Sequence, residues 1–287
     1  QKRGKRPIRK IKKDITTEES ICNFCPEKIG TNHIVSQVKD EKGDWLITTI
    51  ANKFPALTQN NPKAFGAQEV IVETPKHRKE IHELSIEHIV KVFDVYIKRF
   101  DRLRNIKGIK YVLVFKNEGG KAGASVSHSH SQIIAMPLVP PNVRIEYDAY
   151  TDYRLENKTC PYCDIIEKER KSKRVVLEDD YFLALAPYAS QSPYGVWFLP
   201  KRHFKDITEI NEVEKISLAK MFKKILAKLD EIDVSYNYFI HNAVNEEDYH
   251  MHIKLEPRPN VWAGLELGTG IILHSVFPED AAKFYRK

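Results

Sequence analysis

At 287 residues and 42% hydrophobic content, the chain is long enough for one large or two modest domains with proper cores, and no apolar run approaches the ~18–20 residues needed to span a bilayer. The formal charge of +7 owes much to a Lys/Arg run from Lys2 to Lys13; elsewhere the signs nearly balance, which argues against a nucleic-acid-coating surface and favours a site for a smaller anion. The first residues lack the apolar core of a signal peptide, so the expectation is a cytoplasmic chain or one whose natural start lies upstream, and Gln1 in place of Met points to the second.

A basic arm, residues 1–21, comes first, as a solvated tail or as a phosphate-binding one. Cys22-Asn23-Phe24-Cys25 then places two thiols in a short turn, which suits half of a tetrahedral zinc site, a redox pair or a disulfide. A cytoplasmic setting disfavours the disulfide, and the position is not the strand-to-helix junction of a thioredoxin-like pair, so zinc is the first reading. Residues 45–50 and 69–73 read as strands, the second running into Thr74-Pro75-Lys76-His77. Ser85 caps a helical pattern with Ile86, Ile89, Val90, Phe93 and Ile97 at three-four spacing, ending near Arg104. After a strand at 111–115 comes the small-residue loop 117–124, where backbone amides can approach an anion. Next is Ser125-Val126-Ser127-His128-Ser129-His130-Ser131-Gln132, followed by an apolar run. If extended, it sets His128, His130 and Gln132 on one face about 7 Å apart. That row can bind a metal, attack a phosphorus, or both. Pro137, Pro140 and Pro141 end the unit.

From Cys160 the order begins again. Cys160-Pro161-Tyr162-Cys163 is followed by strands at 181–185 and 196–199, the latter running into His203, then a helical pattern from Ile210 to Leu229, a strand at 236–240, and Tyr249-His250-Met251-His252. The succession is an internal duplication with halves of about 140 residues. Each half offers two thiols and two imidazoles: Cys22, Cys25, His77 and His128, then Cys160, Cys163, His203 and His250. Such a set suits tetrahedral zinc with no open position, so two structural metals are expected. His82, His88, His241 and His274 fall outside the pattern and read as ordinary polar or packed residues.

With His128 on a metal, His130 is left for attack on phosphorus, because neutral imidazole is a good nucleophile and the phosphorus–nitrogen bond is labile. Gln132 can hold a non-bridging oxygen as charge redistributes, and Ser125 and the loop add donors. The corresponding row in the second half is His250, His252 and Lys254. Without the amide, that half is expected to be a degenerate copy.

His128-Ser129-His130-Ser131-Gln132 resembles the His-x-His-x-Gln motif of the histidine-triad superfamily. The duplication with a Cys-x-x-Cys in each half is similar to the galactose-1-phosphate uridylyltransferase family, including its ADP-glucose phosphorylase branch. The resemblance extends through Arg3-x-Lys5-Arg6-Pro7, Asn52-x-x-Pro55-Ala56-Leu57, Phe115-Lys116-Asn117-x-Gly119, Ala122-Gly123-Ala124-Ser125 and the segment 264–270. It implies an α+β fold of two tandem histidine-triad units, 22–145 and 146–287, each an antiparallel sheet packed with a helix. It further implies that His130 becomes nucleotidylated, that Gln132 and Ser125 contact the transferred phosphoryl group, that Asn52, Asn117 and Gly123 lie along the nucleotide, and that Glu266 meets sugar hydroxyls. Zinc is implied at both Cys/His sets, and a homodimer as the assembly. The implied reaction is ping-pong, from a nucleotide sugar to a hexose 1-phosphate or to inorganic phosphate, with no nucleic-acid or membrane partner. The serines of the motif replace a proline and a glycine common in the uridylyltransferases and pull toward the phosphorylase-like branch. A zinc protein binding nucleic acid through the arm is the competing reading, and it leaves Gln132, Asn117 and Glu266 without a role.

Overall fold

The computed structural model describes residues 18–244 and 248–287; all but the last four residues of the basic arm, and with them the Arg3-x-Lys5-Arg6-Pro7 motif, lie outside the described residues. Among the described residues, ten strands form one antiparallel sheet. The first five are β1 Ile34–Lys39, β2 Trp45–Ala51, β3 Ala67–Val72, β4 Tyr111–Glu118 and β5 His130–Met136. The second five are β6 Val175–Glu178, β7 Phe182–Leu185, β8 Val196–Pro200, β9 Tyr236–His241 and β10 His252–Pro257. Their spatial order is β1-β2-β3-β5-β4-β9-β10-β8-β7-β6. Read inward from each edge, the two halves have the same order, so the duplication inferred from the sequence is written in the topology. The units do not keep separate sheets. They meet edge to edge, with β4 paired to β9 from Val114↔Ile240 to Glu118↔Tyr236, which leaves neither inner edge open to another chain.

The helices are α1 Pro26–Ile29, α2 Ile86–Arg104, α3 Pro141–Asn157, α4 Pro161–Glu169, α5 Glu212–Asp230, α6 Gly264–Thr269 and α7 Pro278–Arg286. Helix α2 starts where expected, because the Ser85 hydroxyl accepts the His88 N–H at 3.2 Å. An Asn211/Glu214 capping box starts α5. Phe93, Tyr96 and Phe100 of α2 and Leu218, Phe222 and Ile225 of α5 pack with Val112, Val114, Ile133, Ala135 and Ile240 in the main core, each large apolar side chain worth roughly 1.5–3 kcal/mol of burial. On the opposite face, Val143 and Tyr147 of α3 cover Tyr111, Leu113 and Met136. Strand periodicity follows: odd positions of β5 enter the main core, and even positions, His130 and Gln132, stand on the other face.

Several elements depart from the sequence reading. Strand β5 begins at His130, so His128 lies in the bend before it and the extended row is shorter than expected. The ladder with β3 ends at Val72↔His130; beyond it come Thr74 and Pro75, and proline has no N–H to continue a ladder. In the second half β10 likewise starts at the second histidine of its pair, His252. Among the described residues, no helix is long and apolar enough to cross a membrane.

Candidate active site

The four cysteines form no disulfide; each pair instead faces two imidazoles. Cys22 Sγ and Cys25 Sγ each lie 3.6 Å from His128 Nδ1, and Cys25 Sγ lies 3.3 Å from His77 Nδ1. In the second half, Cys160 Sγ and Cys163 Sγ each lie 3.5 Å from His250 Nδ1, and Cys163 Sγ lies 3.5 Å from His203 Nδ1. In each group all four ligand atoms fall within 4.8 Å of one another. A tetrahedral thiolate–imidazole centre separates S and N by about 3.6 Å, given metal–ligand bonds of roughly 2.3 and 2.0–2.1 Å. The outer ring nitrogens are anchored: His128 Nε2 donates to Thr74 O at 2.7 Å, His250 Nε2 to Pro200 O at 2.9 Å, and His203 Nε2 to Asp248 Oδ1 at 2.9 Å. These partners accept only, so Nδ1 carries the lone pair and points into the cluster. Burial lowers the pKa of His128, and that of His250 to about 3, which keeps both rings neutral. Burial and the neighbouring thiol push Cys25 and Cys163 up to about 12; a cation between the sulfurs is what makes the thiolates favourable. Both clusters can therefore hold a metal.

His130 sits beside the first cluster and outside its ligand set. Its Nδ1–H donates to the His128 carbonyl at 2.8 Å, so Nε2 bears the lone pair. Burial, reinforced by the Lys116 ammonium, lowers its pKa, although the bond to His128 O works the other way. The ring is thus neutral and nucleophilic at neutral pH. Phe24, from between the two cysteines, packs edge-on against it with ring centroids 5.2 Å apart. Behind the strand, Lys116 Nζ donates to Glu73 Oε2 at 2.6 Å and Ser129 Oγ at 2.8 Å, with Glu80 Oε2 at 3.0 Å, and this buried network holds the residue between the two histidines. On the face that carries His130, Gln132 Oε1 accepts from Gln68 Nε2 at 3.1 Å. No motif marks Gln68, which cross-strand register brings in, or Glu73 and Glu80, which packing around Lys116 brings in.

The loop between β4 and β5 is held from the second half of the chain. Asn237, opposite Asn117 in the β4–β9 ladder, donates from Nδ2 to Asn117 Oδ1 at 2.8 Å and to Ala122 O at 2.9 Å. Arg258 Nε donates to Asn237 Oδ1 at 2.8 Å, and Lys121 Nζ reaches Pro259 O at 3.3 Å. Gly119, at φ +77°, lies so close to Ser235 that a Cβ would sit 2.2 Å from its Oγ, a combination that requires glycine. Gly123, also left-handed at φ +83°, is exposed at the loop's turn, with Ser125 half-buried between it and His130. Asn52 follows β2, its N–H donating to Gln68 O at 3.0 Å and its Oδ1 accepting from Phe54 N at 2.9 Å.

Two family models divide the chain. Residues 6–139 match the N-terminal domain of a family of unknown function, DUF4931, and residues 146–258 match the galactose-1-phosphate uridyl transferase C-terminal domain. An ADP-glucose phosphorylase of Arabidopsis thaliana is 33% identical over 99% of this chain and 88% of its own length. A galactose-1-phosphate uridylyltransferase of Thermotoga maritima is 30% identical over 85% of each. The chain belongs to the galactose-1-phosphate uridylyltransferase family. The crystal structure of an ADP-glucose phosphorylase from Arabidopsis thaliana with bound ADP-glucose matches it with a TM-score of 0.86, at 32% identity, over 95% of this chain and 92% of that one. Within the uridylyltransferase family the chain carries features of the phosphorylase-like branch, in its serine-rich motif and in its sequence neighbours.

His252 repeats the lock on His130, with Nδ1 donating to His250 O at 3.0 Å. In front of its Nε2, however, stands Glu146, whose Oε1 is 3.0 Å away. Burial would raise the Glu146 carboxyl, but His241, His252 and Lys254 hold it well below the usual range. Lys254 Nζ donates to Glu146 Oε2 at 2.5 Å, and the hydroxyls of Tyr162 and Tyr249 donate to Oε1. A fixed carboxylate thus fills the place that faces the corresponding imidazole in the first copy. His241, read from sequence as an ordinary polar residue, belongs to this cluster, 3.4 Å from Glu146, and the Glu146, His241 and His252 ligand atoms also lie close enough to share a cation. Glu266 is elsewhere. It lies on α6, where its Oε2 accepts the Ala263 N–H at 2.9 Å. It lines a cavity of about 510 Å³ with Ser192, Arg258 and Trp262, and none of the first-half site residues lines it.

Proposed function

We propose that the chain is a nucleotidyltransferase of the hexose-1-phosphate uridylyltransferase type, acting on a nucleoside diphosphate sugar through a nucleotidyl-His130 intermediate. The observation that carries this reading is the lone pair of His130 Nε2, fixed by the bond from Nδ1–H to His128 O, on the same strand face as Gln132. In the first step Nε2 attacks the phosphorus of the nucleoside monophosphoryl group. A P–N bond forms, the P–O bond to the sugar phosphate breaks, and the sugar 1-phosphate leaves with the electron pair. In the second, a phosphate oxygen of a hexose 1-phosphate attacks the same phosphorus, and the P–N electrons return to a neutral imidazole. Gln132 and Ser125 hold the non-bridging oxygens, Asn52, Asn117 and Gly123 position the nucleotide, and Glu266 binds the sugar.

Zinc is the metal assigned to both Cys/His clusters, because four ligands of this softness in tetrahedral array leave no open position. Its part is structural. Residues 22–145 form the catalytic unit and residues 146–287 the degenerate one, whose Glu146 occupies its own site. Free thiols fit a reducing cytoplasm. Exposed Val261, Leu267, Leu273 and Phe277 offer an apolar surface for the partner of a homodimer.

A second reading, transfer to inorganic phosphate from ADP-glucose, is favoured by the serine-rich motif and by the similarity to the Arabidopsis thaliana phosphorylase. Turnover of UDP-glucose and of ADP-glucose, each with galactose 1-phosphate and with phosphate as acceptor, separates the two. Use of hexose 1-phosphate supports the first reading, phosphate-only turnover the second, and release of free monophosphate without either acceptor contradicts both.

A further inference from the structure

An amide side chain has a donor end and an acceptor end of nearly the same shape, so its orientation is decided by its neighbours. At Gln132 that decision starts outside the strand, in the turn after β2. The backbone N–H of Ala56 can only donate, and it donates to Gln68 Oε1 at 2.9 Å. Gln68 must then turn its Nε2 outward, where it donates to Gln132 Oε1 at 3.1 Å. Gln132 is left with its NH₂ end directed away from Gln68, without a protein partner among the described residues. Pairing of β3 with β5 places Gln68 opposite Ile134, the position two beyond Gln132 on the same face.

We propose that Gln68 is a positioning residue that fixes Gln132 with its NH₂ group toward the transferred phosphoryl group. The proposal rests on the reading above that Gln132 meets that group. A donor there stabilises oxygen charge in the transition state, whereas the reversed amide would set a carbonyl oxygen against it. Gln68 also accepts the N–H of Asn52 through its own carbonyl, so a purely architectural role, steadying the turn 52–57, is the competing account.

Substitutions that preserve opposite halves of the chain of bonds separate the two. Gln68→Glu keeps the acceptor for Ala56 N–H but cannot donate, which forces Gln132 to reverse. Gln68→Lys keeps a donor to Gln132 and abandons Ala56. Gln68→Met removes both and leaves Gln132 free to choose. Each variant is assayed with wild type for single-turnover formation of labelled nucleotidyl enzyme from UDP-glucose and ADP-glucose, with thermal stability measured alongside. The expected order of rates, fastest first, is wild type, Gln68→Lys, Gln68→Met, Gln68→Glu. The last should lose about 100-fold in the transfer rate, the scale for losing one oxyanion donor, while its KM changes less than about 3-fold. Gln68→Glu as fast as Gln68→Met or faster, or Gln68→Lys no faster than Gln68→Met with a raised KM, overturns the proposal in favour of the architectural role. If Gln68→Glu fails to fold, the comparison of Gln68→Lys with Gln68→Met decides alone. An unlabelled wild type would instead remove the nucleotidyl-histidine reading and this proposal with it.

Discussion

Both His130 and His252 donate from Nδ1 to the carbonyl two residues back, so the two rings are held in the same way. What separates them is the occupant of the space in front. Sequence spacing could pick out the two Cys/His clusters, His130 and Gln132, because paired cysteines and strand faces repeat at fixed intervals. It could not pick out Glu146, Gln68 or the partners of Lys116, whose roles come from packing between distant segments. Lys116 carries the clearest energetic consequence. It is fully buried against Glu73 and close to Glu80, so Lys116→Met leaves buried carboxylates uncompensated and should cost about 3–5 kcal/mol in denaturant unfolding. Glu118 adds a pH dependence. Burial and Glu80 raise its carboxyl to about 9 from the ordinary 4.5. The folded chain therefore holds a proton that the unfolded chain releases, and stability contributed by this group falls as pH rises from about 4.5 to about 9. Glu118→Gln should flatten that slope; identical pH profiles for melting of the two proteins would rule the shift out.

At the scale of elements, the loop between β4 and β5 belongs to the first half by sequence and is held by the second. Asn237, Arg258 and Ser235 supply its supports. Gly119→Ala tests the arrangement, since it meets both a left-handed φ and the Ser235 side chain. It should cost more than about 1 kcal/mol and raise KM for the sugar nucleotide on the order of 10-fold, with partial recovery in the Gly119→Ala, Ser235→Gly double variant. Helices α2 and α5 are legible in the sequence because their apolar positions recur at three-four spacing over 19 residues each. Strands β1 and β6 are not: both are outer strands, β1 with no buried residue and β6 only four residues long, so their alternation carries little signal. Reading Pro140 and Pro141 as the end of a unit hides α3, because those prolines start the helix.

Across the whole molecule, the duplication gives one sheet with two histidines held alike, the second of them faced by the Glu146 carboxylate. Each Cys/His cluster draws together distant segments of its half, so the binding free energy of a metal held there would be folding free energy. Elemental analysis should find two zinc ions per chain. Cys160→Ser should reduce this to one and lower the melting temperature, and full zinc content in that variant would contradict the ligand assignment. The repeat is legible since paired cysteines and a recurring order of strands and helix report it directly, and the fold class through the resemblance carried by the histidine motif; the joining of the two sheets into one is not, because edge pairing of β4 with β9 leaves no mark in composition. The central claim, one nucleophile in the first copy, is tested most directly by trapping the intermediate. Pure protein incubated with UDP-glucose or ADP-glucose labelled in the nucleotide should acquire acid-labile label, mapping to His130 by mass spectrometry and absent from His130→Gly. Equal labelling of His130→Gly, or label on His252, would contradict it.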